Sequence, residues 1–230
     1  MNRVGRTQAE HARDLGDGRA AGPAQAIAAA TAHYLNGDPI DMSALAAELG
    51  VGRATLYRWV GSREQLLGGV LAEMTERTYH GALRGVRGTG PQRLLTVLDR
   101  FMREVVDAAP LKAFTEREPR LFVRLATTPG PVEERATALL CRELQREIDR
   151  GALHVPLPTR TLAQAIVRIA DSFMYAHYLG GSRPEIETAL EVIELLLRPA
   201  VPYPPDGPED RDGPEGREDR EGPEPGPSGS

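Results

Sequence analysis

From Pro23 to Leu197 the apolar residues recur every three or four positions, in runs bounded by proline, serine or glycine. That period lays them along one face of a helix, whereas a half-buried strand would alternate at every second residue. "PAQAIAAATAHYL" starts on Pro23, which suits a first helical turn, and stops before Asn36-Gly37. "SALAAEL" opens on Ser43 as its cap and ends at Gly50, and "RATLYRWV" follows. Ser62 caps a longer helix that carries Leu66, Leu67, Val70, Leu71 and Met74 and runs to about Leu83. Pro91 opens the next, which ends before Pro110, and two short helices lie near 111–117 and 119–126. Pro131 begins a long one with Ala136, Leu139, Leu140, Leu144 and Ile148 on one face, and residues 159–179 and 184–197 form the last two. No segment shows a strand pattern between turns. The spacing predicts an all-α chain in two modules, 23–83 and 91–198.

The two ends read differently. Residues 1–22 are polar and rich in Gly, Ala and Arg, and predict a mobile, slightly basic arm. Residues 199–230 repeat "DGPE" and "EGPE" and almost lack apolar side chains, which predicts a disordered acidic Pro/Gly tail. The net charge of -5 belongs to that tail, because from Asp206 onward nine acids face three arginines. The remaining residues are close to neutral, so a local basic patch is compatible with the total. Aromatics make up only 5%, which predicts an aliphatic core. The single Cys141 excludes an intrachain disulfide framework and a Cys-rich metal site, and the expectation for Cys141 is a small buried hydrophobe. No apolar run is long enough to cross a bilayer, and "MNRVGRTQAEHARDLGDGRAAG" has no apolar signal core. A cytoplasmic location without a membrane partner is expected.

Two short helices meeting at Gly50-Val51-Gly52 have the spacing of a helix-turn-helix. Leu45, Ala46 and Leu49 would face inward from the first; Val51, Leu56 and Trp59 or Val60 would close the core from the second. A helix so held can enter a major groove with its N-terminal residues at base edges. Arg53 can fork onto guanine O6 and N7, with Ala54 beside it, and Thr55 can meet a thymine methyl or a phosphate. Tyr57, Arg58 and Arg63 can reach phosphates, and Ser43 places the N-terminus of the preceding helix near another.

Taken in order, Gly37, Leu45-Ala46, Leu49-Gly50-Val51, Thr55-Leu56-Tyr57 and Ser62-Arg63-Glu64 before Leu66-Leu67 resemble the helix-turn-helix of TetR-family repressors. The resemblance spans about 45 residues and departs from the family at Gly52, Val60 and Arg63. It implies a three-helix N-terminal DNA-binding domain, 23–83 with its linker helix, and an α-helical ligand-binding and dimerisation domain, 91–198. It further implies double-stranded operator DNA, a small-molecule effector and a second copy of the chain as partners, with no cofactor. In such a regulator the effector favours a conformer that cannot span two half-sites.

Candidate effector contacts are the apolar, aromatic and polar residues of the middle helices: Phe101, Met102, Val105, Phe114, Phe122, Arg124, Asp171, Tyr175 and His177. Ordinary core packing competes with this role at each apolar position. Asp171 or Arg124 can orient a polar ligand head, or the two can pair with each other. The helices 159–179 and 184–197 carry apolar residues on more than one face, which suits a four-helix dimer interface. "EREPRLFVRLATTPGPVEERATALLCRELQREIDRGAL" with "ADSFMYAHYLGG" resembles the QsdR-like branch, whose regulators control lactone degradation, and implies an apolar-tailed lactone or related effector.

Two other classes compete with this reading. An enzyme is disfavoured, because no Ser elbow, HExxH, P-loop or dinucleotide glycine motif is present. The five histidines, His11, His33, His80, His154 and His177, are scattered without metal-ligand spacing. A non-DNA-binding helical adaptor that keeps only the body stays open.

Overall fold

The computed structural model describes residues 22–179 and 183–198; the basic arm and the acidic tail lie outside them. Ten α-helices run through the described chain: α1 Pro23–Leu35, α2 Met42–Glu48, α3 Arg53–Val60, α4 Arg63–Leu83 and α5 Gly90–Asp107. Then follow α6 Ala109–Arg117, α7 Pro119–Thr127, α8 Pro131–Asp149, α9 Thr159–Tyr175 and α10 Ile186–Leu197. Among the described residues there is no strand, as the helical period predicts.

Prolines stand in the first turns of α1, α5, α6, α7 and α8, where a missing N–H costs no helical hydrogen bond. Ser62 caps α4 through a full capping box. Its hydroxyl accepts from the Gln65 N–H at 3.2 Å, and the Gln65 side chain accepts from the Ser62 N–H at 2.7 Å.

The start of α2 differs from expectation. Asp41, in extended backbone, is the cap, and its carboxylate accepts from the N–H of Ser43 at 2.9 Å and of Ala44 at 2.8 Å. The helix begins one residue before Ser43 because Met42 is buried and anchors the first turn. The span 159–179 also differs: α9 ends at Tyr175 and tightens into a 3₁₀ turn over Ala176–Leu179.

The helices α1 to α3 form a head, and α5 to α10 form a body. Between them runs α4, which packs on α1 and α3 at one end and on α5 and α8 farther along. The apolar core is continuous from Ala26 and Leu45 in the head to Ile193 and Leu197 in the body. Linker helix and core therefore make head and body one packed unit.

An ionic cluster joins α5 to α8. Glu147 is fully buried, and its carboxylate accepts from the Gly90 N–H at 2.7 Å and from Arg93 at 3.1 Å. Arg93 also reaches the buried Glu143 at 3.1 Å, and Arg150 closes on Glu147 from outside at 3.0 Å. Every charge here has a partner, which such burial demands.

Candidate DNA interface and effector cavity

The turn between α2 and α3 depends on Gly50, whose φ of +65° a side chain would strain. Leu56 is fully buried and fixes α3 to the head, with Trp59 and Val60 half-buried beside it. With that face pinned, Arg53, Ala54, Tyr57 and Arg58 are exposed and Thr55 is half-buried. These five candidate DNA residues thus lie together on one short helix. Gly52 caps α3 with no side-chain hydrogen bond, leaving its first N–H groups open to solvent or to an anion.

The remaining two candidates are placed otherwise. The Ser43 N–H is already accepted by the Asp41 carboxylate, and that negative charge stands where a phosphate was expected. Backbone hydrogen bonds from Ala44 and Ser43 hold the Asp41 carboxyl below its usual range, so it is ionised there. Arg63 turns into the protein. Its Nε donates to the Ile40 carbonyl at 2.7 Å, and its two terminal nitrogens donate to the Glu118 carboxylate at 2.8 and 2.5 Å. This fork-to-fork geometry ties the start of α4 to the α6–α7 junction, and the Arg63 hydrogen bond lowers the Glu118 carboxyl below its usual range. Nearby, Arg117 donates to the Gly37 carbonyl at 2.6 Å.

A cavity of about 440 Å³, open to solvent on one side, lies against the body. Of the candidate effector contacts, Phe101, Val105, Phe122 and Tyr175 line it. Its wall also takes in Leu71, Met74, Thr75 and Thr78 of α4, and Tyr34 and Leu35 of α1. The aromatics form a chain of edge-to-face contacts, from Tyr34 to Phe114 at 6.3 Å, to Phe122 at 6.2 Å and to Tyr175 at 4.9 Å. Few as they are, the aromatic rings gather at this wall. Burial pushes the Tyr34 and Tyr175 phenols up, so both stay protonated and can donate.

Five expected contacts are absent from that wall. Met102 is fully buried and packs in the core, outside the wall that Phe101 and Val105 line. Phe114 is buried behind the wall between Tyr34 and Phe122. Arg124 is exposed and pairs with Glu64 on the surface, because α7 turns its apolar face inward and leaves the arginine outside. It does not meet Asp171. His177 lies in the 3₁₀ turn with its ring 3.8 Å from that of Tyr178, and among the described residues its Nδ1 has no partner.

Asp171 lines a second, small cavity of about 40 Å³. The two cavities share Thr75, Phe101, Val132 and Tyr175 in their walls. Burial, and then the Glu133 charge, push the Asp171 carboxyl up to about 7. Glu133 itself is held ionised, below its usual range, by Gln164 at 3.0 Å and Arg168 at 2.8 Å.

The contribution of Tyr34 and Leu35 was not anticipated, because both close a helix of the head. Thr75 and Thr78 did carry a signal, since they fall on the inward stripe of α4 with Leu71 and Met74.

This architecture has close structural relatives. The transcriptional repressor QsdR of R. erythropolis, from the TetR family, superposes with a TM-score of 0.75 at 48% sequence identity, over 76% of this chain and 93% of that one. The chain belongs to the TetR family. Residues 89–198 match the Tetracyclin repressor-like C-terminal domain. The TetR-family repressor AlkX from a Dietzia species, implicated in biodegradation of n-alkanes, is 26% identical with a TM-score of 0.54, over 78% of this chain and 97% of that one. No curated protein matches the chain. A TetR-family chain of this kind is a DNA-binding transcription regulator and not an enzyme. Among the described residues, no helix is long and apolar enough to cross a membrane.

Proposed function

We propose that the chain represses transcription as a homodimer and is released from its operator by a small apolar-tailed effector, with a lactone as the leading class. The observation that carries this reading is the shared wall of the cavity. Tyr34 and Leu35 at the end of α1 stand beside body residues on α4, α5, α6, α7 and α9. An occupant therefore touches the head directly, and can favour one head orientation over another by differential contact.

On the DNA side, Arg53 and Thr55 are the base readers, with Ala54 against the groove floor and Tyr57 and Arg58 on phosphates. Arg63 acts from within, fixing α4 to the body through Glu118. The dimer forms through α9 and α10. Leu195 is 60% exposed, and Leu196, Ile169 and Phe173 are only partly covered, as an unpaired interface requires. The lactone class rests on the resemblance of the body to the QsdR-like branch.

A gel shift against the chain's own upstream region tests this directly. Arg53→Ala should weaken binding at least about tenfold, the loss of one bidentate base contact. Binding should also fall steeply with salt as phosphate contacts release counterions. If Arg53→Ala and Tyr57→Phe both bind like the parent, the helical-adaptor reading replaces the repressor.

A further inference from the structure

The effector cavity has charged groups of one sign. Glu104 and Asp107 lie on its α5 wall, and Asp171 faces the small adjoining cavity together with Glu133. Among the described residues, no Arg, Lys or His lines either space. The nearest cations serve these acids from outside. Lys112 meets Asp107 at 3.3 Å on the exposed rim, and Arg168 meets Glu133 at 2.8 Å. The N-terminus of α6 also reaches this wall, but Pro110 removes one N–H from its first turn and the Asp107 carboxylate on the same wall opposes an anion there. The other polar side chains of the larger cavity are the hydroxyls of Tyr34, Tyr175, Thr75 and Thr78.

An anionic head in such a space would lose its water, find no cation and face like charges. An uncharged head can take a phenol O–H on its carbonyl and give an N–H or O–H to Asp171. We infer that the cavity selects uncharged amphiphiles and excludes the carboxylates of the same chain length, with Asp171 as the discriminating residue. The inference rests on the cavity being the effector site. It has a consequence for lactones. Water opens a lactone to a hydroxy carboxylate and a proton, so the regulator would respond to the closed ring and ignore the opened product.

The test is direct binding to the full-length protein, by calorimetry at about pH 8, where Asp171 is mostly ionised. The probes are decanamide and decanoate. The amide should bind at least about tenfold more tightly than the carboxylate. In Asp171→Asn, decanoate should gain about tenfold while decanamide changes less than about threefold. Glu104→Gln, on the exposed rim, should give decanoate a smaller gain. Decanoate binding as well as decanamide to the parent protein overturns charge selection and leaves the cavity as the effector site. Binding of neither probe overturns both.

Discussion

Asp171 shows what one residue can report at this site. Its carboxyl, ordinarily near 3.8, stands at about 7 in the folded chain because it is buried and faces Glu133. A raised carboxylate means that the folded state holds its proton longer than the unfolded chain does. Stability from this group therefore falls as pH rises from about 4 to about 7, and stays low above that. Asp171→Asn removes the charge and keeps the shape. It should raise stability by about 2 kcal/mol near pH 8 and by almost nothing near pH 4, read from urea unfolding at both values. The residue was legible beforehand as a charge inside an apolar helical run. Arg124 carried the same signal and lies on the surface with Glu64. Composition along a helix marks an odd residue, but the rotation of that helix decides whether it faces the core.

At the scale of elements, the helix boundaries followed from prolines and caps, because those effects are local. The cap of α2 was misplaced to Ser43 because Asp41 and Ser43 are both good caps, and only the burial of Met42 decides between them. The α5–α8 ionic cluster was not foreseen. Glu143 and Glu147 share the inward side of α8 with Leu140 and Leu144, and nothing in their local sequence marks these acids as buried. Their partners, Arg93 and the Gly90 N–H, lie more than a helix away in sequence, and no local pattern names them. Removing Glu147 leaves the buried Gly90 N–H without an acceptor and Arg93 with Glu143 as its one remaining carboxylate. Glu147→Ala should destabilise the chain by about 3 kcal/mol, whereas Arg160→Ala, on the exposed side of α9, should change stability by less than about 0.5 kcal/mol. Equilibrium unfolding of the two variants in parallel checks the contrast.

For the whole molecule, the linkage of head and body is the property that regulation needs. Three contacts supply it: the shared apolar core along α4, the Arg63–Glu118 ion pair, and the Arg117 bond to Gly37. The order and extent of the helices were readable from the chain. The seam was not, because it is made of long-range pairs between residues whose local surroundings suggest other roles. Arg63 looked like a phosphate contact for that reason. Dimerisation belongs to this scale too. Leu195→Asp puts a charge on the exposed apolar side of α10, and should shift the protein from dimer to monomer in sedimentation equilibrium without unfolding it. The loss of two-site engagement should then weaken operator binding.

The central claim is that an occupant of the cavity loosens the hold on DNA. Fluorescence anisotropy of a labelled upstream duplex, titrated with a medium-chain lactone, measures it. The comparison is the parent protein against Val105→Trp, in which the new ring fills the cavity wall. The parent should release the duplex, and Val105→Trp should bind it tightly without release. Release from both at the same lactone concentration, or saturation of the parent cavity with the duplex still bound, would contradict it.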